Sequence, residues 1–162
     1  MTTGCGAQIR RYPALEGTEH AHKTASKLMD ANEFILQQII SNKLELKPLN
    51  KKVYLHKPCS QSQITKNTRV IERLLGLIPK IEIITFEDEH ICCGAGGINT
   101  LTEEKLAQRL IKNKIYELKN NSATFLVSSN IGCALHFLAQ LKHEDIDIKV
   151  CHPITLLAQQ VI

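Results

Sequence analysis

Six cysteines in 162 residues carry most of the chemistry in this sequence, and four of them are placed alike. Cys59 closes Val53-Tyr54-Leu55-His56-Lys57-Pro58-Cys59, Cys92 and Cys93 open Cys92-Cys93-Gly94-Ala95-Gly96-Gly97, and Cys133 ends Asn130-Ile131-Gly132-Cys133. Each follows a short apolar run of strand character. Thiols that follow separate strands can meet at one point, which is what a metal centre needs and what unrelated buried thiols have no reason to do. Cys59 and Cys133 stand at expected helix starts, where free N–H groups and the helix dipole favour thiolate. Gly94, Gly96 and Gly97 permit a tight loop whose N–H groups can turn toward sulfur. The central expectation is one metal-centred site made by Cys59, Cys92, Cys93 and Cys133, holding an iron–sulfur cluster.

Other chemistries fit less well. The glycine-rich turn lacks G-x-G-x-x-G spacing and the lysine of a phosphate-binding loop. Adjacent cysteines form a disulfide only in strained geometry. Cys151, inside Val150-Cys151-His152, reads as a small buried hydrophobe. His56, His90 and His136 lie near the cysteines and read as structural or supporting residues rather than ligands. His136, one helical turn after Cys133, comes nearest to being an exception.

The elements that must position these residues alternate. Strands are expected at 53–56, 81–86, 124–128 and 148–151. Helices are expected from Glu19 to Ser41, from Ser60 or Ser62 to Ile78, from Thr100 to Lys119, after Cys133, and from Pro153. Ser60 or Ser62 is the expected cap of the second, and Thr100 with Glu103 has capping-box spacing for the third. Ala21, Ala25, Leu28, Phe34, Ile35 and Ile39 are the expected apolar face of the first. Leu106, Ala107, Leu110, Ile111, Ile115 and Leu118 are that of the third, and Leu135, Leu138 and Leu141 follow Cys133. This alternation predicts an α/β fold, a mainly parallel sheet of about four strands flanked by helices. The strand C-termini then share one edge, where ligands bind.

Composition narrows the rest. A hydrophobic fraction of 43% supports one domain with a real core. No apolar run approaches the roughly 18 residues of a membrane span, and Met1 to Arg11 lacks an apolar signal core. The expectation is a soluble, cytoplasmic protein. In a reducing compartment six cysteines read as metal ligands or redox groups. The net charge of +4 comes from scattered lysines, including Lys112, Lys114 and Lys119, which read as a solvated basic surface. Without tryptophan, and with four Phe and three Tyr, base-stacking platforms are scarce, so no nucleic-acid partner is expected.

The series Cys59, Cys92-Cys93-Gly94, Cys133 resembles the CCG, or cysteine-rich, domain family, and the resemblance covers essentially the whole chain. That domain occurs in heterodisulfide reductase and in the iron–sulfur subunit of glycolate oxidase. The local sequences His56-Lys57-Pro58-Cys59 and Asn130-Ile131-Gly132-Cys133 are most similar to the C-terminal part of the glycolate oxidase type. The heterodisulfide reductase pattern ends in C-x-x-C, and here its first position is Asn130. Four cysteines suffice for a [4Fe–4S] cluster, or alternatively for tetrahedral zinc.

Gly4-Cys5 echoes Gly132-Cys133, both preceding a helix. Residues 1–45 are therefore expected to be the tail of a preceding CCG repeat with its connecting helix, and 46–162 the cysteine-rich domain. Cys5 should stand at the start of the Glu19–Ser41 helix, apart from the site. The missing repeat should leave an apolar face through which the isolated chain self-associates. The resemblance implies a non-catalytic electron-transfer component of a flavin-dependent glycolate or 2-hydroxy-acid dehydrogenase. Its partner would be a flavoprotein subunit, with quinone or another acceptor reached at the inner membrane. The competing readings are a thiol–disulfide redox domain of the heterodisulfide reductase type and a zinc-stabilised interaction domain.

Overall fold

The computed structural model describes residues 3–67 and 69–162; Thr2, part of the N-terminal echo, lies outside them. Four short strands form one sheet: β1 (Lys52–His56), β2 (Glu82–Thr85), β3 (Phe125–Ser128) and β4 (Lys149–Cys151). Their order is β2-β1-β3-β4, and every pairing is parallel. Val53 pairs with Ile83 on one side and with Phe125 on the other. The fold is α/β, as the alternation of apolar runs requires.

The helices are α1 (Thr3–Arg10), α2 (Tyr12–Glu16), α3 (Glu19–Ser26), α4 (Ala31–Asn42), α5 (Arg69–Leu75), α6 (Asn99–Thr102), α7 (Glu104–Asn120), α8 (Ile131–His143) and α9 (Pro153–Ala158). A π-helical turn, Gln61–Thr65, lies between β1 and α5. Strand alternation divides the core in two. Tyr54 and Leu126 point to one face, where Ile111, Ile115 and Leu118 of α7 and Phe137 and Leu141 of α8 cover them. Val53, Leu55 and Val127 point to the other, under Leu36 and Ile39 of α4, Ile71 and Leu74 of α5, and Leu156 and Leu157 of α9.

The connectivity makes a switch point. From β1 the chain moves outward to β2, then crosses back to β3 on the other side of β1. The crevice between β1 and β3, at their C-terminal ends, is where such sheets bind ligands. Cys59 follows β1 and Cys133 follows β3, so the two thiols flank it.

Several helices differ from expectation. The Glu19–Ser41 helix is two, because Asp30 is extended (ψ 140°) and its carboxylate accepts from the Asn32 N–H at 2.8 Å, starting α4 afresh. Phe34 is exposed, and Leu36 takes its place in the core. The Ser60-to-Ile78 helix is interrupted where Lys66 turns left-handed (φ 52°); neither serine caps it, and Ser62 Oγ donates back to the Cys59 carbonyl at 3.2 Å. The Thr100-to-Lys119 helix breaks at Glu103 (φ −131°), so its capping box does not form. Leu106, Leu135 and Leu138 face outward. Cys5 lies in α1 rather than at the head of α3.

Leu126 lies on central strand β3 with no exposed surface, whereas Leu101 is 84% exposed. Leu126→Ala should lower unfolding free energy by about 2–5 kcal/mol. Leu101→Ala should change it by about 0.5 kcal/mol or less. Urea unfolding followed by circular dichroism measures both.

Candidate metal centre

The site is built from three strand ends. After β1, Lys57 and Pro58 turn the chain so that Cys59 comes back over the sheet edge. Lys57 fixes this turn through ion pairs at 2.9 Å to Glu72 on α5 and 2.9 Å to Glu89 in the loop before the cysteine pair. After β2 the chain reaches Cys92 and Cys93 and must turn under α7. Gly94 makes the turn at φ +84°, so close to α7 that a Cβ would stand 2.7 Å from the Ala107 carbonyl. Only glycine satisfies both the angle and the approach.

After β3, Asn130 starts α8. Its Oδ1 accepts from the N–H groups of Gly132 (3.0 Å) and Cys133 (3.4 Å), the expected work of an N-cap. Its Nδ2 donates to Ser60 Oγ at 3.2 Å, and Gly4 of α1 packs against the same amide. One side chain thus ties the residue after Cys59 to the helix that carries Cys133.

The four sulfurs meet. Cys59 Sγ is 3.8 Å from Cys92 Sγ. Cys92 and Cys93 interact through their side chains, and Cys93 does so with Cys133. The Cys93 and Cys133 sulfurs and a ring nitrogen of His56 all lie within 4.8 Å of one another. All six cysteines are free thiols. Cys5 is exposed on α1, and Cys151 is half-buried on β4, where burial alone pushes its thiol up to about 11.

At Cys59, Cys92 and Cys93 the environment disfavours thiolate, contrary to the expectation from the helix start at Cys59 and from the glycines. Cys59 is raised above the ordinary thiol range by burial first and then by Cys92. Cys92 is raised mainly by its contact with Cys93 and next by burial. Cys93 is pushed up to about 12, chiefly by Cys133. The Gly94 N–H does point at Cys92 Sγ (3.4 Å), and it opposes the shift without overcoming it. Crowded sulfurs cannot ionise together unless a cation joins them. A thiol group of this kind loses its protons to a bound metal.

The histidines divide three ways. His56 is buried at the end of β1, with Nδ1 3.0 Å from Ser128 Oγ. Burial, and secondarily the charge of Lys114, lowers its pKa to about 3, so it is neutral. His136 is buried on α8 beside the Cys93 backbone, and its Nδ1 has no partner. His90 is exposed. His56, expected near the cysteines as a structural or supporting residue, lies with a ring nitrogen within 4.8 Å of the Cys93 and Cys133 sulfurs. Lys114, expected on the surface, is fully buried against the Phe86 ring and the Asp88 carbonyl. Its place in the apolar stripe Ala107, Ile111, Ile115, Leu118 was the available signal. Four sulfurs, a neutral imidazole and converging N–H groups fit a thiophilic metal or an iron–sulfur cluster.

Fold and site together define a parallel α/β domain with a cysteine cluster at the switch point. The chain belongs to the CCG cysteine-rich domain family, which matches residues 53–138. It is 28% identical over 139 residues to the glycolate oxidase iron-sulfur subunit of Escherichia coli K12, covering 83% of this chain and 33% of that one. It is 22% identical over 162 residues to lactate utilization protein A of Macrococcus caseolyticus, covering 97% and 66% respectively. It is 26% identical over 158 residues to a subunit of the CoM/CoB fumarate reductase of Methanothermobacter marburgensis, covering 97% and 31%. The chain thus spans from about a third to about two thirds of these relatives. Among its described residues no helix is long and apolar enough to cross a membrane.

Asn130→Ala should cost about 1 kcal/mol of stability through the lost cap. It should also loosen Cys133, so that bound metal is lost to a chelator faster than from the parent. Urea unfolding of the metal-free chain and timed chelator competition on the loaded chain read the two effects separately.

Proposed function

We propose that this chain is an iron–sulfur electron-transfer unit working beside a flavoprotein that oxidises a 2-hydroxy acid such as glycolate or lactate. The observation that carries this is the run of side-chain contacts from Cys59 through Cys92 and Cys93 to Cys133, in a relative of named iron–sulfur and lactate-utilization proteins. When bound, a [4Fe–4S] cluster supplies one-electron transfer. The four cysteines would hold it, the Gly94 N–H would donate to one sulfur, and Phe86 and Phe137 would keep water from its inner side. Electrons would leave toward quinone or another acceptor at the inner membrane, with the unit itself on the cytoplasmic side. At the position that a heterodisulfide-type site fills with cysteine, Asn130 serves as a cap, which favours the four-cysteine reading.

Cys59→Ser, Cys92→Ser, Cys93→Ser and Cys133→Ser should each lose most of the iron and sulfide after anaerobic reconstitution, with the visible absorption near about 400 nm falling in parallel. Cys151→Ser should retain both. Loss from the Cys151 variant with retention in the Cys133 variant would overturn the ligand set. Colourless protein with stoichiometric zinc would favour a zinc-stabilised domain instead.

Residues 1–45 are proposed to be the tail of a preceding repeat with its connection, and 46–162 the cysteine-rich unit. An apolar groove of about 450 Å³ between α8 and β4 supports this division. It is lined by Ile131, Leu135, Leu138 and Val150, the first three strongly exposed. Apolar patches of this kind mark interfaces. The isolated chain should self-associate at micromolar concentration, and Leu135→Glu should restore the monomer, as read by sedimentation. A monomeric parent chain would remove this support.

A further inference from the structure

Lys114 is a charged side chain to which neither the fold nor the cysteine cluster has given a role. It projects from the inner face of α7 and has no exposed surface. Its Nζ donates to the Asp88 carbonyl at 2.5 Å and lies 5.0 Å from the centre of the Phe86 ring. The Asp88 carboxylate is engaged instead by Asn113 Nδ2, at 3.1 Å. Among the described residues no carboxylate forms an ion pair with Lys114. A buried ammonium without an anion is costly, and native structures pair such charges. Burial accordingly pulls its pKa down, against the pull of Asp88 and Glu117 and then of Cys93 and Cys92.

Its position indicates which anion it would face. Lys114 lies two helical turns beyond Ala107, the residue that closes on Gly94 of the cysteine loop. Its partner Asp88 begins the turn that leads to Cys92. The Phe86 ring beneath it also meets the rings of His56 (6.3 Å) and Phe137 (5.8 Å). Phe86, Phe137, Cys93 and Cys133 belong to the same buried cluster. The cation and the sulfurs therefore share one low-dielectric core, where fields are poorly screened.

We propose that Lys114 is the buried counter-cation of the metal centre, offsetting the negative charge of a thiolate-held cluster and raising its reduction potential. This rests on the iron–sulfur reading above. Reduction adds one electron to an already anionic group, so a fixed positive charge stabilises the reduced form more than the oxidised form. Net charge around a cluster is among the factors that set its potential.

The test is a potentiometric titration of the anaerobically reconstituted chain and three variants. Lys114→Gln keeps a donor for the Asp88 carbonyl and removes the charge. Lys114→Met removes both. Lys112→Gln removes an exposed charge from the same helix. Both Lys114 variants should show at least a tenfold loss in the equilibrium constant for reduction, about 59 mV more negative for a one-electron couple. Lys112→Gln should stay within twofold of the parent. Circular dichroism of the metal-free forms should show all three folded. Potentials within twofold of the parent for fully loaded Lys114 variants would overturn the proposal. So would an equal shift in Lys112→Gln, or unfolding of both metal-free Lys114 variants, which would make the residue structural. A parent chain that takes up no iron and sulfide would refute the iron–sulfur reading itself, and this proposal with it.

Discussion

Sulfur atoms in successive contact from Cys59 through Cys92 and Cys93 to Cys133, at the end of a parallel sheet, cannot all carry charge unless a cation joins them. The rest of the structure follows from that constraint. The thiols come from three separate strand ends, so their convergence depends on the parallel order β2-β1-β3-β4 bringing those ends to one edge. Burial at Cys59 and contact between sulfurs at Cys92 and Cys93 then raise these three thiols above their ordinary range. Cys93 reaches about 12 chiefly through Cys133, and Cys92 is raised mainly through Cys93. A set of ligands that resists ionisation alone but ionises together on a metal couples loading to proton release.

The supporting residues hold this arrangement at its joints. Lys57 pins the Cys59 turn to both α5 and the loop before Cys92 through two ion pairs. Asn130 caps α8 and reaches Ser60, linking the β1 and β3 ends across the crevice. Gly94 lets the cysteine loop lie against α7. Beneath them, Phe86 and Phe137 stack, with His56 edge-on to each. Such a layer excludes water from the inner side of the site, and stacked rings add about 0.5–1.5 kcal/mol beyond their buried area.

Much of this was legible in the sequence, and the reasons are physical. Short β-branched runs alternating with helical periodicity dictate a parallel sheet. A cysteine just after each of three such runs is then at the C-terminal edge by topology alone. What escaped was anything that depends on distance. Helix starts and glycines suggested thiolates, but burial at Cys59 and the contacts between sulfurs at Cys92 and Cys93, both invisible in one dimension, raise these thiols instead. Asn130 read as a missing cysteine, although Asn before a helix is also a cap, and the second role is the one the structure uses. Lys114 read as surface because lysine usually is, although it falls within the apolar stripe of α7. The break at Asp30 was signalled by Asp30 and Glu33 at capping spacing, and a continuous apolar pattern hid it.

The central claim is that Cys59, Cys92, Cys93 and Cys133 together hold one iron–sulfur cluster. X-ray absorption at the iron edge of the anaerobically reconstituted chain tests it most directly. The account predicts retained iron with an all-sulfur first shell and an iron–iron scattering component. Iron that washes out, or a first shell of nitrogen and oxygen without iron–iron scattering, would contradict it.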